Sequence, residues 1–232
     1  MISTGSKAID AMLGGGIRQG MITDIFGESG SGKTQLCFTL SVNCVKEGGQ
    51  VMFIDTAGTF RPERIVEISG SSSVLEKIAF FRALGTGDQA GVIQKIPELH
   101  PQLLILDTLT SLFSSEYSGS ARHLALMKHL HDLAISGISS DCAIVVTNMV
   151  RNVPVTIVDQ AGHNVTQAVL PSQQREYLGR SVSIYSHIKM KFEIVNAEQS
   201  SFRAILVQPP GKEPAHFTVS AAGIADYRAV IP

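Results

Sequence analysis

The chain has no tryptophan, three cysteines and four tyrosines among 232 residues. It is also short of charge: Asp, Glu, Lys and Arg make up 17% of it and leave a formal net charge of −1. Each shortage excludes something. Cys37, Cys44 and Cys142 are an odd number without C-x-x-C spacing, so neither a disulfide framework nor a zinc site is expected. Cys37 and Cys44, seven apart on one helix face, read as small core residues. A protein that grips nucleic acid strongly by itself carries a basic excess, so any such contact here must come from a local patch or from a surface shared among subunits. No apolar run is long enough to span a bilayer and the start is not signal-like. The expectation is a soluble, cytoplasmic protein that does not meet a membrane.

Apolar residues make up 44% of the sequence, enough for one substantial core, and a single domain over 1–232 is expected. Short apolar runs recur at Met21–Phe26, Val51–Ile54, Ile78–Phe81, Leu103–Leu106 and Ala143–Thr147, the pattern of strands buried on both faces. Helical segments alternate with them at Lys33–Glu47, Pro62–Ile68, Gln89–Leu99 and Ala121–Ile135. This order predicts an α/β fold with a twisted, mainly parallel central sheet flanked by helices, and ligands at the carboxyl ends of the strands. Residues 151–176 are polar, broken by Pro154, Gly162 and Pro171, and read as a long mobile loop of the functional kind. After it, Ser181–Ile194, Phe202–Gln208 and His216–Ser220 read as antiparallel strands. His123, His129 and His131 lie on one helical segment with no carboxylate or cysteine at ligand spacing, and read as surface histidines.

The most specific signal is Gly27-Glu28-Ser29-Gly30-Ser31-Gly32-Lys33-Thr34, a full match to G-x-x-x-x-G-K-[ST] between an apolar strand and a helix. Glycines let such a backbone curl so that successive N–H groups, with the positive end of the next helix, meet a polyphosphate. Lys33 would reach the outer phosphates, and Thr34 would offer a hydroxyl to magnesium. Leu103-Leu104-Ile105-Leu106-Asp107 is an apolar strand ending in a carboxylate, which would hold the same metal ion through water. The cofactors expected are therefore ATP and Mg2+.

These motifs, with Ile2-Ser3-Thr4-Gly5-Ser6-Lys7, Leu13-Gly14-Gly15-Gly16-Ile17, Gly27 to Gln35, Ile54-Asp55-Thr56, Thr59-Phe60-Arg61-Pro62-Glu63-Arg64-Ile65, Leu106 to Ser111, Val146-Thr147-Asn148 and Ala222 to Asp226, resemble the RecA/RadA recombinase core in its archaeal and eukaryotic style. The likeness is weakest at 69–100 and 150–180. It implies a RecA-like P-loop core with C-terminal antiparallel strands that binds ATP and acts on DNA in homologous recombination and repair, associated with the nucleoid in an archaeon. It places Gln35 within the nucleotide site and Arg64 near the adenine base, where a planar guanidinium suits a ring. The bland alternative for Arg64 is an exposed helix salt bridge.

Where this chain has Asp55-Thr56-Ala57, hydrolysing members of that family carry Asp-Thr-Glu, whose glutamate activates the attacking water. Losing a positioned general base costs about 10²–10⁴ in rate. The residue after Asn148 is Met149 in place of a glutamine that senses the terminal phosphate, and a thioether donates no hydrogen bond. The DNA-binding segments are thinned to Arg122, Arg151 and Arg175, which read equally as solvated loop charges, and the first aromatic is Tyr177 at the loop's edge. The family's N-terminal helical domain and its linker are not seen, and in this layout the chain is similar to the short archaeal paralogues called RadB. The resemblance thus implies an accessory protein that holds ATP, touches single-stranded or branched DNA weakly, and binds a RadA-type recombinase, another paralogue or copies of itself. A working ATPase that exchanges DNA strands, with Glu28 or Glu63 as substitute base, is the other reading.

Overall fold

Every apolar run in the first half feeds one sheet and sends alternate residues to opposite faces of it. The computed structural model describes residues 1–152, 155–158, 164–167 and 174–227. In chain order the elements are α1 (Lys7–Leu13), β1 (Ile22–Gly27), α2 (Lys33–Lys46), β2 (Val51–Asp55), α3 (Pro62–Ser69), β3 (Ile78–Arg82), α4 (Thr86–Ile93), α5 (Ile96–Leu99), β4 (Leu103–Asp107), α6 (Ser111–Glu116) and α7 (Gly119–Ser139). They continue with β5 (Ala143–Asn152), β6 (Val155–Val158), β7 (Asn164–Gln167), β8 (Gln174–Glu176), α8 (Gly179–Tyr185), β9 (Ile188–Asn196), β10 (Ser201–Gln208), β11 (Ala215–Ser220) and β12 (Gly223–Asp226).

The main sheet runs β12-β11-β10-β9-β1-β5-β4-β2-β3, with β8 added to the end of β5. From β9 to β3 all neighbours are parallel, and from β9 to β12 all are antiparallel. This is the α/β architecture expected from the sequence. Leu103, Ile105, Val51, Phe53 and Val145 enter a core on one face, with Leu36, Leu40 and Phe38 of α2. Leu104, Leu106, Met52, Ile54 and Val146 enter a second core on the other, with Leu126, Leu130 and Leu133 of α7. Strands covered on both faces must be apolar throughout, which is why they appear as unbroken runs. Edge strand β3 departs from that pattern, with Phe80 44% exposed.

Four expectations need correction. The stretch 181–194 is not one strand: α8 occupies its start, and only β9 is extended, pairing parallel to β1. Ser183 Oγ and Ser186 Oγ donate back to the carbonyls of Gly179 and Val182, which suits a helical turn despite the alternating sequence. The segment 89–99 is split into α4 and α5, with Pro97 placed in the first turn of the second helix. Within 151–176, the beginning belongs to β5 and the end to β8, while β6 and β7 pair with each other; residues 153–154, 159–163 and 168–173 lie outside the described ones.

The fourth concerns His129, which is buried rather than superficial, 4% exposed. It sits on the inward stripe of α7 with Leu126, Leu130 and Leu133, bonded to Gln89 Nε2 at 2.9 Å and 5.2 Å from the Phe113 ring. Burial pushes its pKa down to about 4, against a smaller opposing pull from Asp132. An unfolded chain takes up this proton near pH 6.5 and the folded one refuses it. Stability is therefore full above about pH 6.5 and falls as the pH drops towards 4, by roughly 3 kcal/mol. Denaturant titrations across that window check this, and His129→Leu should flatten the profile.

Candidate nucleotide site and basic pocket

Buried strand β1 delivers the chain to Gly27, where a Cβ would lie 2.3 Å from the carbonyl oxygen of Phe192 on β9. Only glycine lets β9 run this close to the loop. The loop closes at Gly32, φ 93°, which precedes α2 and offers no side-chain cap. The first N–H groups of α2 therefore point, with the positive end of the helix, into a cavity of about 940 Å³. Glu28, Ser29, Gly30, Ser31, Lys33, Thr34 and Gln35 all border it, together with Arg64 and Asp107.

Lys33 Nζ donates to the carbonyls of Gly27 (2.9 Å) and Glu28 (2.7 Å). Desolvation lowers its pKa, with Asp107 the first of the charges opposing the shift. Thr34 Oγ1 donates to Asp107 Oδ2 at 2.8 Å, so the two expected metal residues meet although they stand on α2 and β4. Asp107, 1% exposed, also accepts from the hydroxyls of Thr59 and Thr147. The donor set is oxygen only, the set a hard cation such as magnesium requires. An uncapped helix end, a lysine on the loop and a hydroxyl–carboxylate pair together fit a nucleoside triphosphate with its metal.

Ala57 and Met149 border the same cavity. The loop carrying Ala57 is fixed by Asp55, whose Oδ1 accepts the N–H of Ala57 (3.0 Å) and Gly58 (2.7 Å) and whose Oδ2 accepts that of Phe60 (3.1 Å). Desolvation alone would raise Asp55, but these backbone donors outweigh it and hold the carboxyl below its ordinary range. Arg82 pairs with it at 3.0 Å. Asp55 is thus committed to shaping the loop. Glu63 does not border the cavity, and Glu67, which does, pairs with Arg64.

Arg64 is half-buried at the cavity rim, and its contacts bear on both readings of it. It borders the cavity and forms the helix salt bridge, while its Nε donates to Gln35 Oε1 at 2.8 Å and its Nη atoms reach the carbonyls of Ser220 and Ala221. Sequence reasoning missed Thr59 and Thr147 as Asp107 partners, and Phe202, Val219 and Ser220 as cavity wall. No local pattern marks the last three, which arrive through the pairing of β10 and β11.

A second pocket, of about 470 Å³, gathers Arg122, Arg151, Arg175, Arg180 and His123 around Tyr177. Arg122 Nη1 donates to the Tyr177 hydroxyl at 2.6 Å, and the guanidinium carbons of Arg122 and Arg151 lie 6.0 and 5.9 Å from the ring centre. Arg151 and Arg175 face each other directly across β5 and β8. Like charges so placed repel, and an anion between them relieves the repulsion. The three arginines singled out in the sequence thus share one pocket.

Strand, phosphate-type loop, helix and the carboxylate closing β4 define a RecA-like P-loop core. A family model described as Rad51 matches residues 1–227, and the chain belongs to that family. It is 40% identical over 173 residues to the DNA repair and recombination protein RadA of Cenarchaeum symbiosum (strain A), a match covering 66% of this chain and 44% of that protein. It is 38% identical over 173 residues to the protein of the same name from Metallosphaera sedula, covering 66% of this chain and 53% of that one. The chain spans about half the length of the curated relatives it matches. Among the described residues no helix is long and apolar enough to cross a membrane.

Proposed function

We propose that this chain is an ATP-holding accessory protein of homologous recombination and repair, which contacts single-stranded or branched DNA weakly and works with a RadA-type recombinase, another paralogue or copies of itself. The observation that carries this reading is the contrast within one cavity. Lys33 would meet the outer phosphates, and Thr34 with Asp107 would hold magnesium, while the positions for water activation and phosphate sensing carry Ala57 and Met149. Binding groups are present and hydrolytic groups are replaced, so ATP acts as a long-lived structural ligand that orders the surfaces around it.

The arginine–tyrosine pocket supports the nucleic-acid part. Stacking of a base on an aromatic ring contributes about 1–3 kcal/mol, so Tyr177→Ala weakens single-strand binding by roughly 5- to 150-fold. Arg151→Ala lowers the slope of log affinity against log salt by about 0.7. Both are read by fluorescence anisotropy of a labelled oligonucleotide.

A second reading, an active DNA-dependent ATPase that exchanges strands, draws on Glu28, a carboxylate bordering the cavity. Measuring ATP binding and phosphate release with and without single-stranded DNA and a RadA-type recombinase separates the two. Tight ATP binding with little DNA-stimulated release supports the accessory role. Turnover matching that of the recombinase, abolished by Lys33→Ala, overturns it.

A further inference from the structure

Lys189 is the one lysine buried among the described residues, and neither the nucleotide cavity nor the arginine–tyrosine pocket uses it. It stands on β9 directly beside Asp24 of β1, and its Nζ lies 2.6 Å from Asp24 Oδ2. The same ammonium reaches both oxygens of Glu176 on β8, at 2.9 and 2.7 Å. Two carboxylates therefore share one cation inside the protein. Burial first, and then the Glu176 charge, push Asp24 well above the usual carboxylate range, against the opposing pull of Lys189.

Glu176 is also bound from the nucleotide side. Asn148 Nδ2 donates to Glu176 Oε1 at 3.0 Å and to the carbonyl of Tyr177 at 2.8 Å. The Asn148 oxygen accepts from Thr110 Oγ1 at 2.7 Å and from the N–H of Met149 at 2.9 Å. Tyr177 N–H donates to the carbonyl of Met149 at 2.9 Å. Strand β5 thus has its Met149 and Val150 in the nucleotide cavity and its next residue, Arg151, in the basic pocket. The strand facing it, β8, has Glu176 in the buried cluster one residue before Tyr177. Any movement of Met149 and Val150 against a triphosphate must carry Tyr177 with it or break these bonds.

Building on the proposed nucleotide and DNA sites, we infer that Glu176 is the positioning residue through which nucleotide in the P-loop cavity sets the shape of the arginine–tyrosine pocket. This route needs no glutamine at position 149. It runs through the Asn148 amide and a carboxylate anchored by Lys189 on β9, the strand paired with the one that feeds the phosphate loop. Without the Glu176 charge, Lys189 retains Asp24, but β8 loses the ion pair that ties it down one residue before Tyr177.

The test compares affinity for a labelled oligothymidine in the presence of magnesium with ADP or with a non-hydrolysable ATP analogue. Unmodified protein should distinguish the two nucleotides by about five-fold or more, whereas Glu176→Gln should reduce that ratio to within about two-fold while nucleotide affinity stays within about three-fold. Gly179→Ala reaches the same group from the other side, because a Cβ there would lie 2.6 Å from Glu176 Oε2, and it carries the test should Glu176→Gln not fold. Asp24→Asn, which leaves the Glu176–Lys189 pair in place, should keep the ratio. In the unmodified protein, hydrogen exchange over 174–178 should slow when the analogue replaces ADP. A ratio of one in the unmodified protein, an unchanged ratio in both variants, or equal exchange with either nucleotide overturns the inference and leaves the two binding sites standing. Absence of nucleotide or DNA binding in the unmodified protein removes the underlying reading itself.

Discussion

Ala57→Glu should raise ATP hydrolysis by about 10²–10⁴, the gain a positioned general base supplies. The geometry favours the new side chain at little structural cost. Ala57 is exposed and borders the cavity, and its backbone is held in place by the carboxylate of Asp55 together with Gly58 and Phe60. A glutamate at 57 would therefore emerge from a fixed point near the phosphate loop and Asp107. Phosphate release at saturating MgATP gives the answer. An unchanged rate would mean that another group, with Glu28 first in line, already activates water, and the holding role would fail.

Lys33→Ala should weaken ATP binding by about 100-fold or more, since charge-assisted hydrogen bonds to a polyphosphate contribute about 1.5–3 kcal/mol each. The lysine at present bonds two loop carbonyls, so binding a triphosphate exchanges those acceptors for phosphate oxygens. The fold should persist. Helix α2 is anchored by Leu36, Phe38, Leu40 and Val42, all at most 1% exposed, and none touches the lysine's role. Isothermal titration calorimetry of the variant, beside its unfolding curve, separates lost affinity from lost structure. Affinity within a few-fold of the unmodified protein would show that the cavity holds its ligand by other means.

The parts legible in the sequence are those whose residues are neighbours along the chain. The loop at 27–34 could be read because strand, turn and helix follow one another, and Asp107 because an apolar run ends on it. The direct bond between Thr34 and Asp107, on α2 and β4, went beyond the expectation that both serve one metal ion. The failures also have physical causes. Residues 181–187 alternate polar and apolar side chains, yet only Val182 of that helix's apolar residues is buried while Ile184 is 66% exposed, so the alternation there reflects no sheet face. His129 fell on the helical stripe of Leu126 and Leu133, and counting that spacing would have placed it inside. The arginine–tyrosine pocket and the Asp24–Lys189–Glu176 cluster were beyond reach because β1, β5, β8 and β9 assemble them from distant stretches.

The close passage of β9 along Gly27 has a consequence for the order in which the protein takes shape. Residues 23–27 pair with 188–192, and the cavity wall is completed by Ser200, Phe202 and Ala221. On a ribosome the phosphate loop leaves the exit tunnel long before these partners exist, so its finished form must wait for most of the chain. Contacts of such sequence separation close slowly. A nascent chain halted before β9 therefore presents the signature motif without the site, and nucleotide marks completion of the fold rather than its beginning.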